Sequence, residues 1–199
     1  TAGIMFVLRN YFAGSLVSAF GPVGLLTFAS ILSCVGLYSL SYAGTAVAVF
    51  AAATVFGIGK TFFWPTMLGV VSERFPKGGA LLLGLMGGAG MFSAGWLMAP
   101  VMGSIQDHYA LSSLSYETRT LVVSDTGAGL DPKKVAALTD PALKEEVKAA
   151  ESYSARMTYR WVSIIPAFLT LVFGLLTLYF KRAGGYRPVA LRTERLVTA

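Results

Sequence analysis

The chain has 199 residues, 55% of them hydrophobic and 13% charged, with a formal net charge of +6. Soluble domains carry about 25% charged residues, so this composition excludes an ordinary soluble enzyme. The surplus of bases sits at the ends of apolar runs and in one loop, not in a stripe interleaved with stacking aromatics, which argues against a nucleic-acid partner.

Charge is segregated along the chain. Between Asn10 and Val71 the only Asp, Glu, Lys or Arg is Lys60, and none occurs from Gly78 to Gln106. Uncharged runs of this length indicate lipid as the solvent, and a hydrocarbon core about 30 Å thick takes about 20 apolar residues per helix. An all-α, polytopic transmembrane bundle is therefore expected. The chain opens on Thr1 without an initiator methionine, a basic leader or a cleavage pattern, and reads as a piece of a longer protein.

In chain order, residues 1–21 read as the end of a truncated span, Gly3 to Leu8, followed by a cytoplasmic loop. Transmembrane helices are predicted over 22–40, 46–71, 79–105 and 161–180. Trp161 and Tyr179 sit at the ends of the last one, where aromatic belts are expected. Between the third and fourth spans, 107–160 is predicted to be an extracytoplasmic loop with short helices. Asp131-Pro132 and Asp140-Pro141 each read as an N-cap followed by proline at the first helical position. Glu145 and Lys148 are spaced to pair at i, i+3. Residues 181–199 form a basic tail. The Ser72–Lys77 turn and this tail together carry seven bases against two acids, whereas 107–160 carries seven bases and eight acids. By the positive-inside rule the C-terminus is expected in the cytoplasm, in a plasma (inner) membrane.

Three motifs suggest chemistry and fail on inspection. Thr54 to Thr61 resembles a phosphate-binding loop, but Thr54 stands where the leading glycine is needed and the segment lies within an apolar span. Asp125-Thr126-Gly127 resembles the aspartic-protease triplet, but such catalysis shares a proton between two carboxylates and the chain has no second copy of the motif, which only a homodimer could supply; a glycine-rich turn outside the membrane explains it. His108, the sole histidine, follows a span end beside Asp107, where solvation of the rim explains it. Cys34 is the single cysteine, so neither a disulfide framework nor a cysteine-rich zinc site can form. No catalytic residue, cofactor or metal is expected.

Other residues point to a solute pathway. Lys60 lies inside a span, where a charge costs at least ~2.5–3.5 kcal/mol on insertion scales and calls for a cavity or a partner. Phe56, Phe63, Trp64 and Met67 share its helical face at i±3, i+4 and i+7. Aromatic rings beside one cation suit stacking on a solute plus a polar anchor. Thr61, Met91 and Trp96 complete the candidate lining. The alternative is snorkelling of Lys60 to the headgroups. Pro65 and Pro100 each withhold an N–H from the preceding turn, a device found where broken helices line a binding site. Small residues recur at i, i+4 in the third span as Ala80, Gly84 and Gly88, then Gly95, Ala99 and Gly103, a pattern suited to close helix contact.

These residues resemble the major facilitator superfamily of transporters. Arg9 through Val23 is similar to its cytoplasmic signature G-x-L-x-D-R-x-G-[RK], with Gly14, Leu16 and Gly21 matching, and with Ser18, Ala19 and Pro22 replacing the aspartate, the arginine and the final basic residue. Pro100-x-x-Gly103-x-x-x-Asp107 resembles the end of the family's eleventh helix, and Ser72 to Gly78 its cytoplasmic turn between helices ten and eleven. Phe63-Trp64-Pro65-Thr66 looks like the Phe-x-Pro-Thr region of fucose and hexose permeases. The resemblance implies the partial C-terminal half of a twelve-helix fold, from the end of helix eight to helix twelve. It implies a secondary active transporter moving a small, sugar-like solute by alternating access, with a coupling proton or sodium ion and the missing N-terminal half as partners. An organic-anion carrier with Lys60 as counter-charge, and a non-transporting membrane sensor or scaffold, are the alternative expectations.

Overall fold

The structure, a computed structural model, describes residues 2–186, without the side chains of residues 2–15 and Ser18. Among the described residues there is no strand, only an isolated bridge between Val123 and Leu130. The helices run in the order α1 (Ala2–Tyr42), α2 (Ala46–Arg74), a 3-10 turn (Pro76–Gly78), α3 (Gly79–Phe92), a π-helical segment (Ser93–Met98) and α4 (Ala99–Ser113). Then come α5 (Tyr116–Val122), α6 (Pro132–Ala137), α7 (Pro141–Val162) and α8 (Ile164–Arg182). Four helical stretches are long and apolar enough to cross a membrane: Ala19–Tyr42, Ala46–Arg74, Pro76–Ser113 and Pro141–Arg182.

The boundaries differ most from the sequence-based ones in three places. First, the loop expected before residue 22 is a break of one residue. Gly21 adopts φ 70, ψ 163 inside an otherwise helical α1. Proline disfavours α conformation in the residue before it and suits the first turn of the helix it opens, so Gly21-Pro22 ends one helix and starts the next. Second, α4 continues to Ser113, eight residues past the predicted end at Ile105, because nothing breaks the helix before Leu114 turns extended (φ −85, ψ 147). Third, the short solvated helix expected after Asp140 is the 22-residue α7.

The contacts divide the chain into two compact units, one of Thr1–Ser33, Gly57–Met91 and Pro166–Ala199, the other of Cys34–Phe56 and Phe92–Ile165. In the first, α1 and α2 meet backbone to backbone. A Cβ placed on Gly59 would lie 2.6 Å from Ser33 Oγ and 2.7 Å from the Ala29 carbonyl oxygen. Around this contact Leu25, Ala29 and Phe62 are buried, with Leu16, Ile58 and Phe63 packed on them. Thr27 and Thr177 join their hydroxyls at 2.9 Å, tying α1 to α8. At one end of the unit the Arg74 guanidinium lies 4.7 Å from the centre of the Phe180 ring and 5.5 Å from that of Tyr186, so the turn after α2 sits beside the end of α8. Burial, then the nearby Glu73 carboxylate, pushes the Tyr186 phenol up to about 12.

Among the described residues, the small-residue stripe of the third span makes no close helix contact. Gly84 and Gly88 are exposed with nothing within 4 Å of a built Cβ, and α3 has no buried residue. Spacing identifies a face that permits close approach, but not whether a helix is there to approach.

In the second unit, Gly36 of α1 packs directly on the backbone of Phe56 in α2, beneath a cluster of Leu37, Leu40 and Ala52. The segment between α4 and α8 has a core of its own, built from Leu114, Val122, Val147 and Ala150 with Leu130, Val135 and Leu138 against it. Its helices start where the sequence places caps. Asp131 accepts from the Lys133 amide at 2.9 Å and Asp140 from the Ala142 amide at 2.8 Å, each with proline following. The core is latched by Glu146 of α7, which accepts from the Ser115 amide at 2.7 Å, the Ser115 hydroxyl at 3.3 Å and the Thr118 hydroxyl at the start of α5. Glu145 and Lys148, spaced to pair, do not. Among the described residues the ion pair in this segment is Lys134–Asp125 at 2.6 Å.

Two outcomes test this architecture. Gly59→Leu forces a side chain into backbone, and overpacking of this kind costs about 1–3 kcal/mol. Thermal unfolding of the detergent-solubilised protein should show a clear loss for it and none for Gly84→Leu; equal midpoints would mean that α1 and α2 do not touch at Gly59. The second concerns acid. The Thr118 hydroxyl, then the Ser115 amide, hold the Glu146 carboxyl below its ordinary value of 4.5. A group whose folded-state value is depressed stabilises the fold above its unfolded value, and that contribution is lost as pH falls through the folded one. Protection of the α5 amides, referred to the intrinsic exchange rate at each pH, should therefore fall on acidification below about pH 4.5 in the wild type. In Glu146→Gln that fall should be blunted.

Candidate functional site

The residues expected to line a pathway do not converge on one cavity. Lys60 is exposed, fourteen residues from either end of α2, and no ion pair reaches it among the described residues. Phe63 turns inward and meets Phe173 of α8 edge-on, with centroids 5.7 Å apart. Phe56 belongs to the Leu37–Leu40–Ala52 cluster instead. Trp64 lies over α3, where a Cβ on Gly90 would be 3.1 Å from the indole. The Thr61 hydroxyl is used within its own helix, donating to the Gly57 carbonyl at 2.8 Å, and Met67 is half-buried. Met91 and Trp96 are exposed, the latter stacked on Phe92 at 5.8 Å. A helical face about 100° wide therefore divides: its flanks carry rings into neighbouring helices, and Lys60 is left at its open centre.

Both prolines sit in helix. Pro65 is within α2, and Pro100 opens α4 directly after the π-helical segment Ser93–Met98. Proline at 100 cannot donate to the Trp96 carbonyl, and the backbone before it widens to π geometry. Of the signature residues, Leu16 packs against the Leu25–Ala29–Phe62 cluster and Gly21 is the break in α1. The side chain of Arg9 and the surroundings of Gly14 lie outside the description, as do Arg187, Arg192, Glu194 and Arg195 of the basic tail. Asp125 of the Asp-Thr-Gly triplet is engaged by Lys134, which also donates to the Val123 carbonyl at 2.9 Å and holds the Asp125 carboxyl below the usual range.

A concavity lies elsewhere, within the second unit. A groove of about 620 Å³ runs along α4 from Pro100 past Gly103 to Asp107, His108 and Leu111, with Arg119 of α5 on one wall. The loop Gly127–Gly129 closes its upper edge. Gly129 has φ +127, open to glycine but rarely to other residues, and a Cβ there would lie 2.6 Å from Asp107 Cγ. The loop can therefore lie directly on the carboxylate. A second cleft of about 430 Å³ lies between Tyr38, Tyr109, Arg160 and Trp161, where the Trp161 indole N–H donates to the Tyr109 hydroxyl at 2.8 Å. Sequence reasoning treated His108 as a rim residue and Asp107 as the end of a helix motif, and overlooked Arg119 and Gly129. The available signal was the 100–103–107–111 face of one helix together with a Gly-x-Gly loop about twenty residues further on.

The chain is thus helical among its described residues, with four helical stretches long and apolar enough to cross a membrane and a separately cored polar segment between α4 and α8. Comparison with known protein families, with characterised proteins and with solved structures found no match.

Proposed function

We propose that this chain is the C-terminal part of a secondary transporter of the major facilitator type, moving a small, sugar-like solute across a plasma (inner) membrane by alternating access. In this reading the four apolar helices cross the bilayer, and the basic tail is cytoplasmic. The observation that carries the proposal is the position of Lys60. Fourteen residues of helix lie on each side of it, about 21 Å of axis each way at 1.5 Å per residue. A lysine that deep is far from either headgroup layer, so water, solute or a carboxylate from another part of the protein must compensate its charge. The residues similar to the family's signature, and Phe63-Trp64-Pro65-Thr66, support the same reading. The lone central cation also favours a second one, an organic-anion carrier with Lys60 as counter-charge.

Lys60→Ala in the full-length protein is expected to reduce uptake about tenfold, the equivalent of 1.4 kcal/mol, with normal expression and folding. Lys60→Arg should rescue poorly, because a planar guanidinium does not replace a compact ammonium. Comparing a neutral sugar with a monocarboxylate separates the two readings. Wild-type uptake by Lys60→Ala at all solute concentrations would remove Lys60 from the pathway. Orientation is checked in a Cys34→Ala background. An impermeant thiol reagent applied to intact cells should modify Ser124→Cys and spare Thr198→Cys, and the reverse pattern would invert the topology.

A further inference from the structure

The groove along α4 brings together two opposite charges that do not satisfy each other. Asp107 and Arg119 both line it, yet among the described residues no ion pair within 4.0 Å joins them, and neither side chain makes a described hydrogen bond. Exposed opposite charges gain little by closing on each other in water, which leaves both open to a ligand that bridges them. Asp107 is half-buried under the Gly127–Gly129 loop, whose glycine at 129 leaves no room for a Cβ above the carboxylate. That loop is itself fixed. The Ser124 amide donates to the Gly129 carbonyl and the Asp131 amide to the Val122 carbonyl, at 2.9 and 2.8 Å. Arg119 rises from α5, whose start is latched to α7 through Ser115, Thr118 and Glu146. The α4 wall of the same groove also offers Gly103, which leaves space, and the apolar Pro100 and Leu111.

We propose that this groove binds a small zwitterion of the amino-acid class, with Asp107 taking the ammonium, Arg119 the carboxylate and the Pro100–Leu111 wall the side chain. A guanidinium presents a planar fork that matches a carboxylate, and a carboxylate accepts from an ammonium through both oxygens. A volume of about 620 Å³ falls within the range of about 300–1,000 Å³ typical of small-molecule sites. The site is formed within one unit of the chain and does not depend on which solute the spans move.

The test uses the full chain in lipid nanodiscs and three probes that differ only in charge. These are L-leucine, its amide L-leucinamide, which keeps only the cation, and N-acetyl-L-leucine, which keeps only the anion. Equilibrium dialysis should show L-leucine binding at least about tenfold more tightly than either analogue, a difference of 1.4 kcal/mol. Asp107→Asn should erase the preference for L-leucine over N-acetyl-L-leucine while keeping that over L-leucinamide, and Arg119→Gln should do the opposite. A merely structural role for either residue would weaken all three probes together. That pattern, equal binding of the three probes to the wild type, or no binding of L-leucine to folded wild-type chain at about 10 mM, well above ordinary affinities, would overturn the proposal.

Discussion

The contact on which the apolar part of this chain depends is the one with least in it. At Gly59 the backbone of α2 comes so near Ser33 and Ala29 of α1 that no side-chain atom fits between them, and Gly36 repeats the device on the Phe56 backbone. Lipid offers helices no hydrophobic reason to associate, so attraction between them comes from close packing and from hydrogen bonds, both steep in distance. Glycine and serine give up side-chain bulk for that proximity. The Ser33 hydroxyl donates to its own Ala29 carbonyl at 2.8 Å, so even the polar atom at the contact is satisfied locally. Larger residues then fill the flanks: Phe62 and Leu25 beside Gly59, Leu37 and Leu40 beside Gly36.

A second constraint is electrostatic. From Asn10 to Val71, across α1 and α2, the sequence holds a single charge, Lys60, and the neighbours on its face are drawn into other contacts and leave it open. The polar segment between α4 and α8 follows a different logic, with charges used as structural ligands. Glu146 accepts from one backbone amide and two hydroxyls, and Lys134 spans Asp125 and a carbonyl. Such bonds to an ionised group are stronger than neutral ones. They let a segment with few buried residues hold a defined shape.

Much of the architecture was legible in the sequence because the signals are local. Runs of apolar residues mark the four long helices, and Asp-Pro pairs mark the starts of α6 and α7. What was not legible depends on partners. The spacing of Gly84 and Gly88 is as suggestive as that of any helix-packing stripe, yet both glycines are exposed, while Gly36 and Gly59, which share no stripe, make the close contacts. The shared face of Phe56, Phe63 and Trp64 is real in angle, but each ring is claimed by a different neighbour. The groove was missed for a related reason: Asp107 and Arg119 are twelve residues apart on different helices, and no pattern along the chain indicates that a glycine loop covers one of them.

The closed core of Leu114, Val122, Val147 and Ala150 has a consequence for how such a chain would be assembled. In a membrane, withdrawing a span costs its own apolar burial, and a flexible connector adds only the cost of carrying its polar groups across lipid. Here the connector folds on contacts made between neighbouring stretches of chain, with Glu146 fastening α7 to the start of α5. Once that core closes, withdrawing α4 or α8 would mean unfolding it first. Were α4 and α8 to cross a membrane, the folded segment would act as a rivet head that opposes their withdrawal.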